Sequence, residues 1–316
     1  EDDLADMRHE VEAQRRGERR TLPLPWRRVG TLSQALRPGT LCVIAGPPGT
    51  GKSFFTLAIA RAVHAALVPW RYLPLEDRRT DLKFRLLAML AADYGMIEVD
   101  EDGAAAREAA LAQYGASVEE MAAFVCENPR VGRKDDNGKV IVPPLPYETV
   151  VGWIARAFEE GARVVFIDPI SQIEFDGRDP WKAEGDFARR VTALAGDSGA
   201  TVVLVAHTIK RGGRNAGCPL TLEDIQGSAM FGRLCHCALI LDAHDPKEST
   251  VYRAGDMQES VEHNRTLTIA KARNGRGTGL RLAFRHESDA PEFVELGVIA
   301  PKRTVKAREK GHWANE

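Results

Sequence analysis

Residues 46–53 read GPPGTGKS, and their types and spacing suit one task, holding a chain of phosphates. Gly46, Gly49 and Gly51 let successive backbone N–H groups turn toward an anion, and Pro47, Pro48 and Thr50 complete the loop. Lys52 contributes a point charge and Ser53 a hydroxyl for Mg²⁺. The spacing satisfies G-x-x-x-x-G-K-[ST], the P-loop, which arises by chance in a chain of 316 residues on the order of one time in a hundred. The apolar run TLCVIA precedes the loop and FFTLAIARAVHAAL follows it. It therefore joins a strand to a helix, whose positive end adds to the anion site. ATP with Mg²⁺ is the implied ligand, and hydrolysis the implied chemistry.

Hydrolysis needs two further groups. One is an acid at the end of a neighbouring strand to hold the magnesium, and Asp168, closing VVFID, has that place. The other is a base for the attacking water. Many P-loop ATPases put a Glu directly after the strand-end Asp, but Pro169 stands there. Glu76 ends the strand that follows the P-loop helix, so it is the candidate base, and the adjacent Asp77 is expected to point elsewhere. His207 ends TVVLVAH, where a polar side chain faces the γ-phosphate and reports its loss to the loop that follows. The competing readings are a capping acid for Glu76 and a satisfied core side chain for His207.

These residues must be positioned by alternating strands and helices. Strands are expected at 41–45, 71–75, 163–168 and 201–207, and helices at 52–67, 80–94, 148–160 and 181–198. That alternation predicts an α/β fold with a mostly parallel sheet covered by helices on both faces. After 208 come the basic loop KRGGRNAG and a helical segment, TLEDIQGSAMFGRL. Strands at 236–242, 265–271, 279–285 and 292–296 follow too closely for crossover helices, and are read as antiparallel additions at one edge. The expected organisation is a charged linker or helix (1–29), an ATPase domain (30–300) and a basic tail (301–316). A helical insertion at about 95–146 holds helices 104–114 and 117–123 and the strand AFVCE.

Composition bounds the rest. With 44% hydrophobic residues the chain can bury a large core, and a net charge of −2 excludes a polycation wrapped on nucleic acid. No apolar run approaches the roughly 18 residues of a membrane helix, and EDDLADMRHE is too charged for a secretory leader, so a cytoplasmic location is expected. The five cysteines form no C-x-x-C pair. Cys235-His236-Cys237 with Cys218 offers a zinc reading. A C-x-C pair on a strand sends both sulfurs to one face, however, and the following LIL favours core packing.

The ordered set GPPGTGKS, LPLED, VVFIDPIS, VVLVAH, LTLEDIQGSAMFGRLCHCALIL and TIAKARNGRGTGLRLAF resembles the motifs of the RecA-like hexameric replicative helicases, the DnaB family of superfamily 4. The resemblance runs from about residue 30 to residue 297. It implies a RecA-like P-loop NTPase core, a homo-hexameric ring on single-stranded DNA, and replication partners such as a primase or a loader. It also implies that Lys271 and Arg273 enter the neighbouring subunit's site, with Arg273 as arginine finger, and that Glu76 is the base. The loop 208–217 would face the channel, Lys210, Arg211 and Arg214 following phosphates near Gln226, Gly227 and Ser228. That loop is poor in aromatic residues, so binding would rest on phosphate contacts and depend strongly on salt. Bacterial members commonly carry Gln where His207 stands, whereas phage primase-helicases and plasmid RepA-type helicases carry His, which points to a phage or plasmid origin. Two other functions share the fold, a RecA/RadA-like recombination ATPase and a KaiC-like regulatory ATPase. The K-A-R-N-G and LTLEDIQGSA segments fit the helicase pattern better.

Overall fold

The computed structural model describes residues 4–301 apart from 17–19, 99–102, 131, 135, 139, 143–144, 176–178, 210–218, 228, 254–256 and 288. Lys210, Arg211, Arg214, Cys218, Ser228 and the basic tail from 302 lie outside the described residues. The helices are α1 (Ala5–Arg15), α2 (Arg27–Ser33), α3 (Lys52–Ala65), α4 (Arg79–Ala91), α5 (Ala104–Ala122), α6 (Tyr147–Glu159), α7 (Pro180–Ser198) and α8 (Ala229–Leu234). The main strands are β1 (Leu41–Gly46), β2 (Trp70–Pro74), β6 (Val164–Asp168), β8 (Thr201–His207), β9 (Cys237–Tyr252), β10 (Gln258–Ala272), β11 (Arg281–His286) and β12 (Phe293–Ile299). Short strands β3 (Arg133–Lys134) and β4 (Val140–Ile141) pair with each other, as do β5 (Leu145–Pro146) and β7 (Ile173–Glu174).

β1 is buried along its whole length, and its alternation divides the core. Cys42 and Ile44 enter one layer with residues of α3, α4 and α5, while Leu41, Val43 and Ala45 enter the other with α6 and α7. A sheet covered on both faces needs near-continuous apolar strands, which is why LCVIAG, VVFID and TVVLVA read so plainly. β1, β8, β6 and β2 are parallel neighbours in that order, and β9 joins the other side of β1 in parallel.

The antiparallel strands do more than extend an edge. β9 pairs with both β10 and β12, and β11 lies between those two, so the four strands close on themselves. Val251, Val261, Ala283 and Leu296 fill the space between them. Closure leaves no open strand edge on that side.

Four expectations need correction. The helices predicted at 104–114 and 117–123 are one helix, α5, because nothing crowds Gly115 and its Ala-rich flanks propagate through it. AFVCE contributes a single bridge, Val125 to Tyr72. TLEDIQGSAMFGRL is not one helix but a short turn of 3₁₀ helix, Leu222–Asp224, followed by α8. The strands predicted at 236–242 and 265–271 run on as β9 and β10, through polar residues such as His244–Ser249 and Gln258–Glu262 whose pairing no hydrophobic pattern announces. Among the described residues, no helix is long and apolar enough to cross a membrane.

Candidate active site

The parallel strands deliver the motif residues to one rim of the sheet. Gly46 ends β1 opposite His207 of β8, and the N–H of Thr208 donates to the Gly46 carbonyl at 3.2 Å. A Cβ on Gly46 would stand 2.3 Å from the Leu241 carbonyl oxygen, so only glycine lets the loop leave the sheet there. Gly51, at φ +91°, precedes Lys52 at the start of α3, with the Phe293 ring directly behind it. Lys52 Nζ donates to the Pro47 carbonyl at 2.8 Å, and Thr50 Oγ1 donates to the same oxygen at 3.0 Å.

Lys52, Ser53, Glu76, Asp168 and His207 line one cleft of about 260 Å³ together with Gly49 and Gly51. Burial lowers the pKa of Lys52, against the charges of Asp168 and Glu76. Burial raises the pKa of Asp168 although Tyr72 Oη donates to it at 2.5 Å and Ser53 is hydrogen-bonded to it. A buried carboxylate in the phosphate cleft, with the Ser53 hydroxyl bonded to it, fits the protein side of a Mg²⁺ site, which needs one or two carboxylates and takes its other oxygens from phosphate and water. Glu76 is exposed at the mouth of the cleft, just past β2. His207 Nδ1 is buried without a partner among the described residues, and both burial and Lys52 lower its pKa.

Asp77 does not point away from this cleft as expected. It lines the cleft and holds Arg85 in a two-oxygen ion pair at 2.5 and 3.0 Å. Burial works against the Arg85 charge, but Asp77, with Tyr72 and Asp168, outweighs it and raises the Arg85 pKa. Sequence reasoning also missed Tyr72, Arg265, whose Nε donates to the Thr50 carbonyl at 3.2 Å, and the Phe293 wall behind Gly51. None carries a motif signal, since each meets the loop only through tertiary packing.

Lys271 and Arg273 are not brought to this cleft. Lys271 pairs with Ala238, which pairs with Val43 of β1, three residues before the loop begins. That places it roughly 10 Å back along the strands and about another 10 Å across two of them from Gly46. Lys271 Nζ donates to the carbonyls of Gly232 and Arg233, and Arg273 donates to the latter at 2.6 Å. The cysteines also differ from expectation. Cys235 precedes β9 and packs in one core layer, whereas Cys237 packs with Cys42 in the other. Their sulfurs therefore do not share a face, and among the described residues no group of three His, Cys, Asp or Glu is placed to hold a metal ion. A larger cavity, about 810 Å³, lies along α3 beside Trp26, Met89 and Phe293 and contains none of the motif residues.

A P-loop between a parallel strand and a helix, with a strand-end acid in the same cleft as its lysine, defines a P-loop ATPase of α/β fold. The model of the AAA domain family matches residues 10–213, and the chain belongs to that family. No curated protein matches it in sequence. Solved structures share the fold at low identity. A DnaB-like replicative helicase, reported with its interactions with primase, aligns with a TM-score of 0.69 at 14% identity, over 94% of this chain and 67% of that one. A second solved structure, of an ATPase domain, aligns with a TM-score of 0.67 at 16% identity, over 94% of this chain and 99% of that one. A KaiC-like protein from Pyrococcus horikoshii OT3 aligns with a TM-score of 0.52 at 14% identity, over 88% and 98%.

One stability prediction follows from the histidines. Burial lowers the pKa of His207, His236, His244, His263 and His286. The unfolded chain therefore takes up protons first, as pH falls through about 6.5, and the fold is stabilised less below that value than above it. The upward shift of Asp168 acts with the opposite sign in a lower window, near the ordinary carboxylate range. Urea midpoints are expected to be lower at pH 5.5 than at pH 7.5, and equal midpoints would refute this.

Proposed function

We propose that the chain is the ATPase domain, residues 30–300, of a ring-forming motor that uses ATP hydrolysis to move along single-stranded DNA, a replicative helicase of the DnaB type. One observation supports the ring: Lys271 and Arg273 stand too far from their own P-loop to touch its phosphates, which leaves a second copy's phosphates as the target the helicase resemblance gives them. The P-loop amides and Lys52 bind the phosphates, and Ser53 and Asp168 would hold Mg²⁺, which would supply neutralisation of phosphate charge there. Glu76 accepts the proton of the attacking water, and Arg273 of the adjacent copy stabilises the transferring group.

His207 connects hydrolysis to movement. Its side chain lines the phosphate cleft and also a second cavity of about 200 Å³ with Gln226, Gly227 and Phe231. Its carbonyl accepts from the Gln226 N–H at 2.8 Å, Ile209 donates to Asp224, and Thr208 bridges Ile225. This short ladder brackets the segment with Lys210, Arg211 and Arg214, the proposed phosphate contacts on DNA. A change at the γ-phosphate thus reaches the DNA side through two or three residues.

ATP hydrolysis measured with and without single-stranded DNA, beside particle images of the full chain with ATP, tests this reading. DNA-stimulated hydrolysis by closed or lock-washer rings supports it. Hydrolysis indifferent to DNA would favour a regulatory ATPase, filaments that exchange strands would favour a recombinase, and a monomer under every condition would exclude the ring.

A further inference from the structure

We infer that Trp181 is a base-stacking residue for single-stranded DNA, an inference that rests on the function proposed above. The chain contains 11 Phe, 5 Tyr and 5 Trp. Among the described residues Trp181 is the one exposed aromatic, at 67%, while every other is buried or half-buried. It leaves a flat apolar face in water, with no ring contact or hydrogen bond to it among the described residues.

Its position gives it a use. α7 follows β6 and runs back toward the start of β8, so its first turn sits at the rim that carries Asp168 and His207. Trp181 and Gly185 are four residues apart and share a helix face. Gly185 faces Met230 of α8, where a Cβ would lie 3.4 Å from Met230 Cγ, with Arg189 on the same row. The Glu184 carboxylate reaches Gly227, and Glu184 lines the cavity shared with His207 and Gln226. The turn bearing Trp181 therefore abuts the end of the ladder that leads from the phosphate site.

The charge around it suits a strand whose backbone is held elsewhere. Lys182 is exposed and paired with Asp179 at 2.5 Å, and Asp186 draws Arg189 and Arg190 to itself at 3.7 and 3.9 Å. With local acids matching local bases, this turn offers little net attraction to phosphate. What it offers is a flat π-face on a rigid helix, which accepts any base and reads none. The sequence assigns affinity to phosphate contacts alone; the structure adds stacking from a separate element.

The test compares the full chain with Trp181→Ala and Trp181→Phe, with a non-hydrolysed ATP analogue, on a fluorescent oligo-dT and on an abasic strand of equal length. Trp181→Ala is expected to weaken oligo-dT binding about 5- to 100-fold and Trp181→Phe much less. The slope of log affinity against log salt should stay as in the parent, because no phosphate contact is lost. The abasic strand should bind the parent and Trp181→Ala equally, and ATP hydrolysis without DNA should be unchanged. Parent-like oligo-dT affinity in Trp181→Ala, an equal loss on the abasic strand, or loss of the oligomer would overturn the inference while leaving the motor reading intact. If the parent binds neither strand, the motor reading itself fails.

Discussion

Arg273→Ala is expected to lose about 10³-fold or more of the ATP hydrolysis rate while still binding nucleotide, because the arginine finger acts only on the transition-state charge. In the isolated chain its guanidinium donates to the Arg233 carbonyl at 2.6 Å, at the end of α8. A role confined to that contact would show as a lower urea midpoint with hydrolysis little changed. The decisive measurement mixes Arg273→Ala with Lys52→Ala. Each is inactive alone, but an interface that joins the intact P-loop of the first to the intact arginine of the second is complete. Recovered hydrolysis in the mixture is expected, and none in a verified mixed ring sinks the assignment. Arg273→Lys should not substitute, since an ammonium lacks the planar fork.

Glu76→Gln should cut hydrolysis roughly 10²- to 10⁴-fold, the usual weight of a positioned general base, and leave ATP bound. Glu76 is exposed at the cleft mouth, and its charge is felt by both Lys52 and His207. Asp77→Asn is the natural control. Asp77 holds Arg85, so its loss should lower stability by leaving a half-buried guanidinium unpaired, with hydrolysis reduced far less. If Asp77→Asn removes hydrolysis and Glu76→Gln does not, the base has been misassigned.

Both predictions rest on residues whose types were visible in the sequence. The parallel core was legible because strands buried on two faces must be apolar throughout, and a P-loop fixes which strand stands beside which helix. The barrel of β9 to β12 was half legible. Its inner ends are apolar, but residues 243–250 are polar apart from Ala243 and Pro246 and none of them is buried, so hydrophobic periodicity has nothing to act on. The site divides likewise. Lys52, Glu76, Asp168 and His207 are motif positions, whereas Tyr72, Arg85 and Arg265 act through contacts made only once distant segments pack. Trp181 escaped notice because a tryptophan at the start of an amphipathic helix reads as core; its exposure is a fact of three dimensions.

β10 carries two register shifts, one just before Arg265 and one just before Lys271. Each re-aims the cation that follows it. Arg265 is fastened to Thr50 of its own chain, while Arg273, about 26 Å further along at extended-chain spacing, would on the proposed ring serve the next copy. On the proposed ring the strand is then a connecting rod with one end in each of two adjacent fuel sites. A change at one site of such a ring would then have a continuous strand, rather than a loop, along which to reach its neighbour.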